Sequence, residues 1–314
     1  MAGEKILTVS LPIFALIFSG YGAGRLRLLN EPAIVGLNGF VFYFALPALL
    51  FIKMAEAPLL EAWDWRFLAG YLTGGFAVFA LAMLFGRVLF GHGLAVLGLQ
   101  GLAAAWPNVG YMGLPLVITA FGEKATLPAV LIIVFDALVT LSIAIALVEA
   151  GLGRGGRWLD VAKTVGSGLA RNPLLLWIFA GALVSVSGFS LHPSVEAFGN
   201  LLGAAALPCA LFSLGASLVG RPVTAGMGEV SLVVGLKLLV HPLVVWLMVT
   251  HVFRLDPLWA TVAVLDAALP VAANVFVLAR RYDVYVERSS AIVLTSTMAS
   301  VVTVSALLTL LSPR

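Results

Sequence analysis

The sequence predicts an all-α polytopic membrane protein, with ten transmembrane helices arranged as two inverted five-helix repeats and with helices 4 and 9 broken. Three observations carry this. The chain is 61% apolar and 11% charged, against about 25% charged in soluble domains. Proline-centred motifs recur at an offset of 161 residues. Two apolar segments are interrupted by proline and asparagine, at Pro107-Asn108 and at Pro270 to Asn274.

A helix that crosses the hydrocarbon core needs about 20 apolar residues. The first five such stretches run over residues 7–24, 33–52, 66–90, 94–121 and 126–149, and the second five over 172–188, 196–219, 229–253, 257–280 and 288–311. They divide the chain into a first five-helix repeat (1–149), a cytoplasmic connecting loop (150–171) and a second repeat (172–314). Glycines and basic residues make the connection solvent-facing, and Trp158, Leu159, Ala162 and Val165 are spaced for a short interfacial helix within it. Glu4 and Lys5 precede the first apolar run and Arg25 and Arg27 follow it, the reverse of a cleavable leader, so no signal peptide is expected.

Orientation follows from the basic residues. With the N-terminus outside, eleven lie inside: Arg25, Arg27, Arg87, Arg154, Arg157, Lys163, Arg171, Arg221, Arg280, Arg281 and Arg288. Six lie outside: Lys5, Lys53, Arg66, Lys124, Arg254 and Arg314. Both termini are therefore expected outside a bacterial-type inner (cytoplasmic) membrane. A net charge of +3 is too small to point to nucleic acid, and the single cysteine, Cys209, excludes a disulfide within one chain. No metal site or cofactor is expected.

The repeat is visible residue by residue. Pro12, Ile17, Phe18 and Gly20 recur as Pro173, Ile178, Phe179 and Gly181, while Ala45-Leu46-Pro47 and Leu50-Phe51 recur as Ala206-Leu207-Pro208 and Leu211-Phe212. Five spans is an odd number, so the second repeat enters from the opposite side, as in many secondary transporters. Symmetry then requires the ninth span to be interrupted as the fourth is. Ala104-Ala105-Trp106-Pro107 aligns with Ala267-Ala268-Leu269-Pro270 after a shift of two residues.

These features resemble the auxin efflux carrier family, which includes plant auxin exporters and bacterial carriers of dicarboxylates such as malonate and malate. The resemblance covers essentially the whole chain. It rests on the ten-span layout, on Phe44-Ala45-Leu46-Pro47, on the run from Asn108 to Pro115 and on the run from Pro270 to Tyr282. The short central loop is similar to that of the bacterial members. Trp106-Pro107-Asn108 and Val271-Ala272-Ala273-Asn274 depart from the plant Asn-Pro-Asn pattern, which argues against auxin itself. The resemblance implies a midplane crossover of spans 4 and 9, a dimerising scaffold from spans 1, 2, 6 and 7, and an elevator-like transport domain from spans 3–5 and 8–10. It further implies a small organic anion as substrate, membrane lipid as surroundings and a homodimer as the assembly.

At the crossover, half-helices beginning after Pro107 and Pro270 would point amides and the positive ends of their dipoles into the gap, which suits a carboxylate. Asn108, Gly110, Tyr111, Val271 and Asn274 are the expected substrate-binding residues. The bland alternative is that Pro107 and Pro270 only kink packed helices that the asparagines tie together. Charges within a span cost at least about 2.5–3.5 kcal/mol, so Asp136, Lys237 and Asp266 each need a reason. Asp266, Pro270 and Asn274 are spaced to share one helix face, which makes Asp266 a candidate for coupling to H+ or Na+. Asp136, Lys237, His241 and Gln100 are further coupling or ion candidates, with a direct Asp136–Lys237 pair one option. Ser296, Thr297 and Ser300 fit helix packing. So do the Gly20/Gly24, Gly70/Gly74 and Gly199/Gly203 pairs.

Three other functions compete with a carrier. A receptor without transport is disfavoured because the sequence shows no soluble signalling domain. A passive channel or facilitator for organic anions differs from it in lacking an alternating site. An intramembrane aspartyl-type enzyme would use Asp136 and Asp266, but neither sits in a Tyr-Asp or Gly-x-Gly-Asp context, and no Gly-x-Ser-x-Gly or His-Glu-x-x-His motif is present. The expectation is that the protein is not an enzyme.

Overall fold

A backbone in hydrocarbon must satisfy its own hydrogen bonds, and the apolar stretches do so as helix. The computed structural model describes residues 2–59, 64–153, 158–220 and 226–311. In chain order the helices are α1 (Ala2–Arg25), α2 (Glu31–Glu56), α3 (Trp65–Phe90), α4 (Leu94–Ala105), α5 (Val109–Phe121), α6 (Glu123–Gly151), α7 (Trp158–Ala170), α8 (Pro173–Ser187), α9 (Pro193–Ser217), α10 (Met227–Val252), α11 (Pro257–Ala267), α12 (Asn274–Tyr282) and α13 (Val286–Leu311). Several starts follow one local rule: a capping side chain followed by proline, whose missing amide hydrogen is no loss in the first turn. Asn30 accepts from the Ala33 amide at 3.0 Å, Asn172 from Leu174 at 3.0 Å, and Asp256 from Leu258 at 2.9 Å.

Among the described residues, six helices are long and apolar enough to cross a membrane, namely α2, α3, α6, α9, α10 and α13, or seven if Lys163–Ala170 and Pro173–Ser187 are one span. The fourth and ninth stretches, drawn from the sequence as 94–121 and 257–280 with a break in each, are pairs of short helices, α4 with α5 and α11 with α12. At 1.5 Å per residue, the 12 residues of α4 reach only about 18 Å, short of the roughly 30 Å core. The break also corrects one expectation. Asp266, Pro270 and Asn274 do not share a helix face, because α11 ends at Ala267 and α12 begins at Asn274. The central loop holds α7, at the place expected for an interfacial helix. Arg154, Arg157, Arg221 and Arg314, which enter the charge count, lie outside the described residues, as do the side chains of Lys5, Trp158, Leu159 and Ala162.

The chain forms two compact units. The first comprises Met1–Asp64, Gly110–Val130 and Ala170–Gly220; the second comprises Trp65–Val109, Leu131–Leu169 and Arg221–Arg314. Two of the five boundaries, after Val109 and after Val130, fall inside the fourth and fifth stretches.

Within the first unit, glycines let backbones touch. A Cβ on Gly20 of α1 would collide with the carbonyl of Phe212 in α9, and one on Gly215 of α9 with the carbonyl of Ile17. A Cβ on Gly181 of α8 would sit 2.5 Å from the carbonyl oxygen of Phe51 in α2. These contacts are related by the sequence repeat: Gly20 corresponds to Gly181, and Phe212 to Phe51. Gly199 and Gly203 face Ile52 and Leu49.

Within the second unit, Gly74 of α3 meets Val245 of α10, Gly101 of α4 meets the ring of Phe79, and Gly98 meets Leu147 of α6. Fully buried Phe67, Leu99, Leu102, Ile132 and Ala263 belong to its core. π-helical turns, which concentrate at functional places, occur at Asp136–Thr140 in α6 and at Leu236–Val240 in α10.

Candidate functional site

The two breaks meet. Pro107 and Val271 form an antiparallel bridge. The Asn108 amide donates to the Pro270 carbonyl at 2.9 Å, and the Ala272 amide to the Trp106 carbonyl at 3.3 Å. The Val271 amide donates to Ser296 Oγ at 3.1 Å. Each proline removes its own amide and frees neighbouring groups from the helix ladder, and the other break takes up several of them. This corrects the expectation of a row of free amides: those of Asn108, Val271 and Ala272 are bonded. No side chain caps the start of α12, and its Val275 and Phe276 amides return to the Ala272 and Ala273 carbonyls at 3.1 Å. Asn274 is exposed, while Asn108 is 5% exposed and Val271 is fully buried. Gly110 and Tyr111 are half-buried in the π-helical turn that opens α5 and belong to the first unit.

One turn before the ninth-span break lies a buried polar cluster. Asp136 accepts from Tyr71 Oη at 3.0 Å and from Thr140 Oγ1 at 2.9 Å. Lys237 Nζ donates to the Ala267 carbonyl at 2.5 Å and lies 3.0 Å from His241 Nδ1. The ammonium therefore sits on the last carbonyl of α11, where the helix dipole is negative. Asp266 is within Coulombic range of both Asp136 and Lys237. Asp136, Lys237, His241 and Asp266 are each at most 4% exposed. The sequence option of a direct Asp136–Lys237 ion pair is not what forms, because the α11 terminus and His241 take the ammonium. Among the described residues, both carboxylate oxygens of Asp266, His241 Nε2 and both ends of the Gln100 amide have no hydrogen-bond partner. Gln100 faces the Cα of Gly86, where a Cβ would collide with its Oε1.

The family model described as membrane transport protein matches residues 5–156 and 156–308. The chain belongs to that family, the one of the auxin efflux carriers. The chain is 36% identical over 307 residues to a Rhizobium meliloti protein named "Putative malonate transporter", with 98% of this chain and 96% of the relative covered. It is 29% identical to an "Uncharacterized transporter" of Methanothermobacter thermautotrophicus, covering 93% of this chain and 94% of the relative. It is 23% identical to auxin efflux carrier component 8 of Arabidopsis thaliana, covering 90% of each. The chain is thus an integral membrane transport protein, and not an enzyme.

Some polar groups of this carrier escaped the sequence reading. Tyr71 looks like an ordinary apolar-face residue of α3, yet its hydroxyl holds Asp136. Glu229, 3% exposed near the start of α10, accepts from Tyr285 Oη at 2.7 Å and lies 2.7 Å from His92 Nε2 and 2.8 Å from Arg288 Nε. Burial and the hydrogen bond to Glu229 push the Tyr285 phenol well above its ordinary range. Tyr282 donates to Glu149 at 2.7 Å. A buried Glu at a span end, three residues into an apolar run, was the one visible signal.

Proposed function

We propose that the protein is a secondary transporter that moves a small carboxylate or dicarboxylate across a bacterial-type inner membrane by elevator-type alternating access. In this reading ten spans form two inverted repeats with both termini outside. Spans 1, 2, 6 and 7 act as a homodimerising scaffold in the lipid, and spans 3–5 and 8–10 carry the substrate. The observation that carries it is the crossover: two proline-broken helices bonded to one another through Asn108, Pro270, Trp106 and Ala272, as in transporters whose site lies at a repeat interface. The pairing of Gly20 with Phe212 and of Gly181 with Phe51 supports the repeat. The uncapped start of α12 supports an anionic guest, as does the name of the Rhizobium meliloti relative. Asn108 and Asn274 would bond the carboxylate, with Gly110, Tyr111 and Val271 shaping the site. Transport would be coupled to H+ or Na+, or run as a uniport.

The test is uptake by proteoliposomes holding the purified protein. Labelled malonate, malate and an auxin are offered under imposed proton, sodium and electrical gradients. Accelerated exchange when unlabelled malonate is preloaded inside supports a carrier over a channel, because counterflow requires an alternating site. No movement of any carboxylate under any gradient refutes the proposal.

A further inference from the structure

We infer that Asp266 is a proton-binding site of the carrier, that it holds its proton in the conformation described here, and that Asp136 does not exchange. This rests on the transporter reading above and adds to it the ion, the atom and the number bound.

Two buried acids of the cluster are unequally satisfied. Both are buried, Asp136 at 4% and Asp266 at 0% exposure. Asp136 receives a hydroxyl donor on each oxygen, from Tyr71 and Thr140, which is the environment of an ionised carboxylate. Asp266 receives none on either oxygen among the described residues. A carboxylate without donors in a membrane interior is among the most expensive groups a chain can bury, and binding a proton is the direct way to remove its charge.

Charge balance agrees. Lys237 Nζ lies 3.0 Å from His241 Nδ1, and an ammonium at that distance keeps the buried imidazole neutral, because two cations so close repel. The cluster then contains one cation, Lys237, and two acids. One proton on Asp266 makes it neutral.

The groups around α11 leave few rivals. From α10 come Lys237 and His241, from α3 Tyr71 and from α6 Asp136. The α13 residue at the crossover is Ser296, and the charged residues of α13 are Glu287 and Arg288 in its first turn. A sodium ion needs several oxygens at once. Here Asp136 is occupied by its hydroxyl donors and the Ala267 carbonyl is held by Lys237.

Two measurements test this. Infrared difference spectra of the purified protein in lipid vesicles, with no substrate, should show a protonated carboxyl band that shifts in D2O and is lost on a jump to high pH. The band should vanish in Asp266→Asn, be displaced in Asp266→Glu and keep its frequency in Asp136→Glu, a pair of variants that conserves the charge of the cluster. A band that survives Asp266→Asn, stays in place in Asp266→Glu or is displaced in Asp136→Glu overturns the inference. In proteoliposomes with the membrane potential clamped, one unit of pH should shift malonate accumulation about tenfold in the wild type and about onefold in Asp266→Asn. A sodium gradient that drives wild-type accumulation in place of the proton gradient also overturns it. If malonate does not move at all, the transport reading fails while the infrared result still decides the proton site.

Discussion

Replacing Gly20 by alanine places one methyl group where the structure has backbone. The ideal Cβ would overlap the carbonyl of Phe212, with the carbonyl carbon 2.7 Å and the Cα 3.0 Å away. No rotamer change relieves such a clash, because the obstacle is the main chain of α9, so the two helices must separate. Overpacking of this kind costs about 1–3 kcal/mol. Against it stands the intrinsic gain of alanine over glycine inside a helix, roughly 0.5–1 kcal/mol, so the net loss is about 0–2.5 kcal/mol, and about 1–3 kcal/mol relative to a helical glycine with open space. Gly22, two residues on, is the control: its Cβ would meet nothing within 4 Å, leaving only the helix gain. Melting in detergent, followed by intrinsic fluorescence, should therefore fall for Gly20→Ala and hold or rise for Gly22→Ala. Gly181→Ala should fall like Gly20→Ala, since it meets the Phe51 carbonyl of the corresponding pair. Equal midpoints for Gly20→Ala and Gly22→Ala would refute the close backbone approach. A neutral Gly181→Ala would refute the equivalence of the two contacts.

Asn108→Ala and Asn274→Ala should each raise the malonate Kd by about 10–100-fold, the loss of one bond to a charged group, while leaving the melting midpoint in place; unchanged affinity in both removes the asparagines from the site. Tyr71→Phe strips one of the two donors from Asp136 and should destabilise by about 1–3 kcal/mol, read as earlier unfolding of the purified protein. Glu229→Gln keeps the shape but removes the charge that Tyr285 and Arg288 address. Arg288 is 42% exposed, so solvent screens its share, and the expected loss is about 1–2 kcal/mol; no change in the midpoint would show that the cluster is not structural.

The breaks were legible because their cause is local. Pro107 and Pro270 have no amide to give, and no partner is needed to know that. The end points were less legible. The helix-face argument for Asp266, Pro270 and Asn274 assumed a ladder running through Pro270, whereas the chain between Ala267 and Asn274 turns and bonds to the opposite break. The free amides failed for the same reason, since one break serves as the partner of the other 160-odd residues away. Lys237 was legible as a charge that needs a partner, but not as the cap of α11, because a helix terminus carries partial charge with no residue to mark it. Tyr71 with Asp136, and His92 with Glu229, stand 65 and 137 residues apart. Hydropathy and periodicity see neither pairing.

The turn between Ala267 and Val271 is held at both ends by side chains from other helices, and this gives a sharper test than either contact alone. Lys237 fixes the Ala267 carbonyl and Ser296 fixes the Val271 amide. Between them the Leu269 amide returns to the Asp266 carbonyl at 3.2 Å, and the Pro270 carbonyl receives the Asn108 amide. Five consecutive residues thus link the buried acid to the crossover. If this turn moves as one body, Lys237→Met and Ser296→Ala release the same element, and the second release costs less than the first. The double-mutant cycle should then depart from additivity by about 0.5–3 kcal/mol, measured as stability in detergent. Agreement with the sum of the single variants to within roughly 0.3–0.5 kcal/mol would mean that the two ends are independent, and that a change at Asp266 has no rigid path to Asn108.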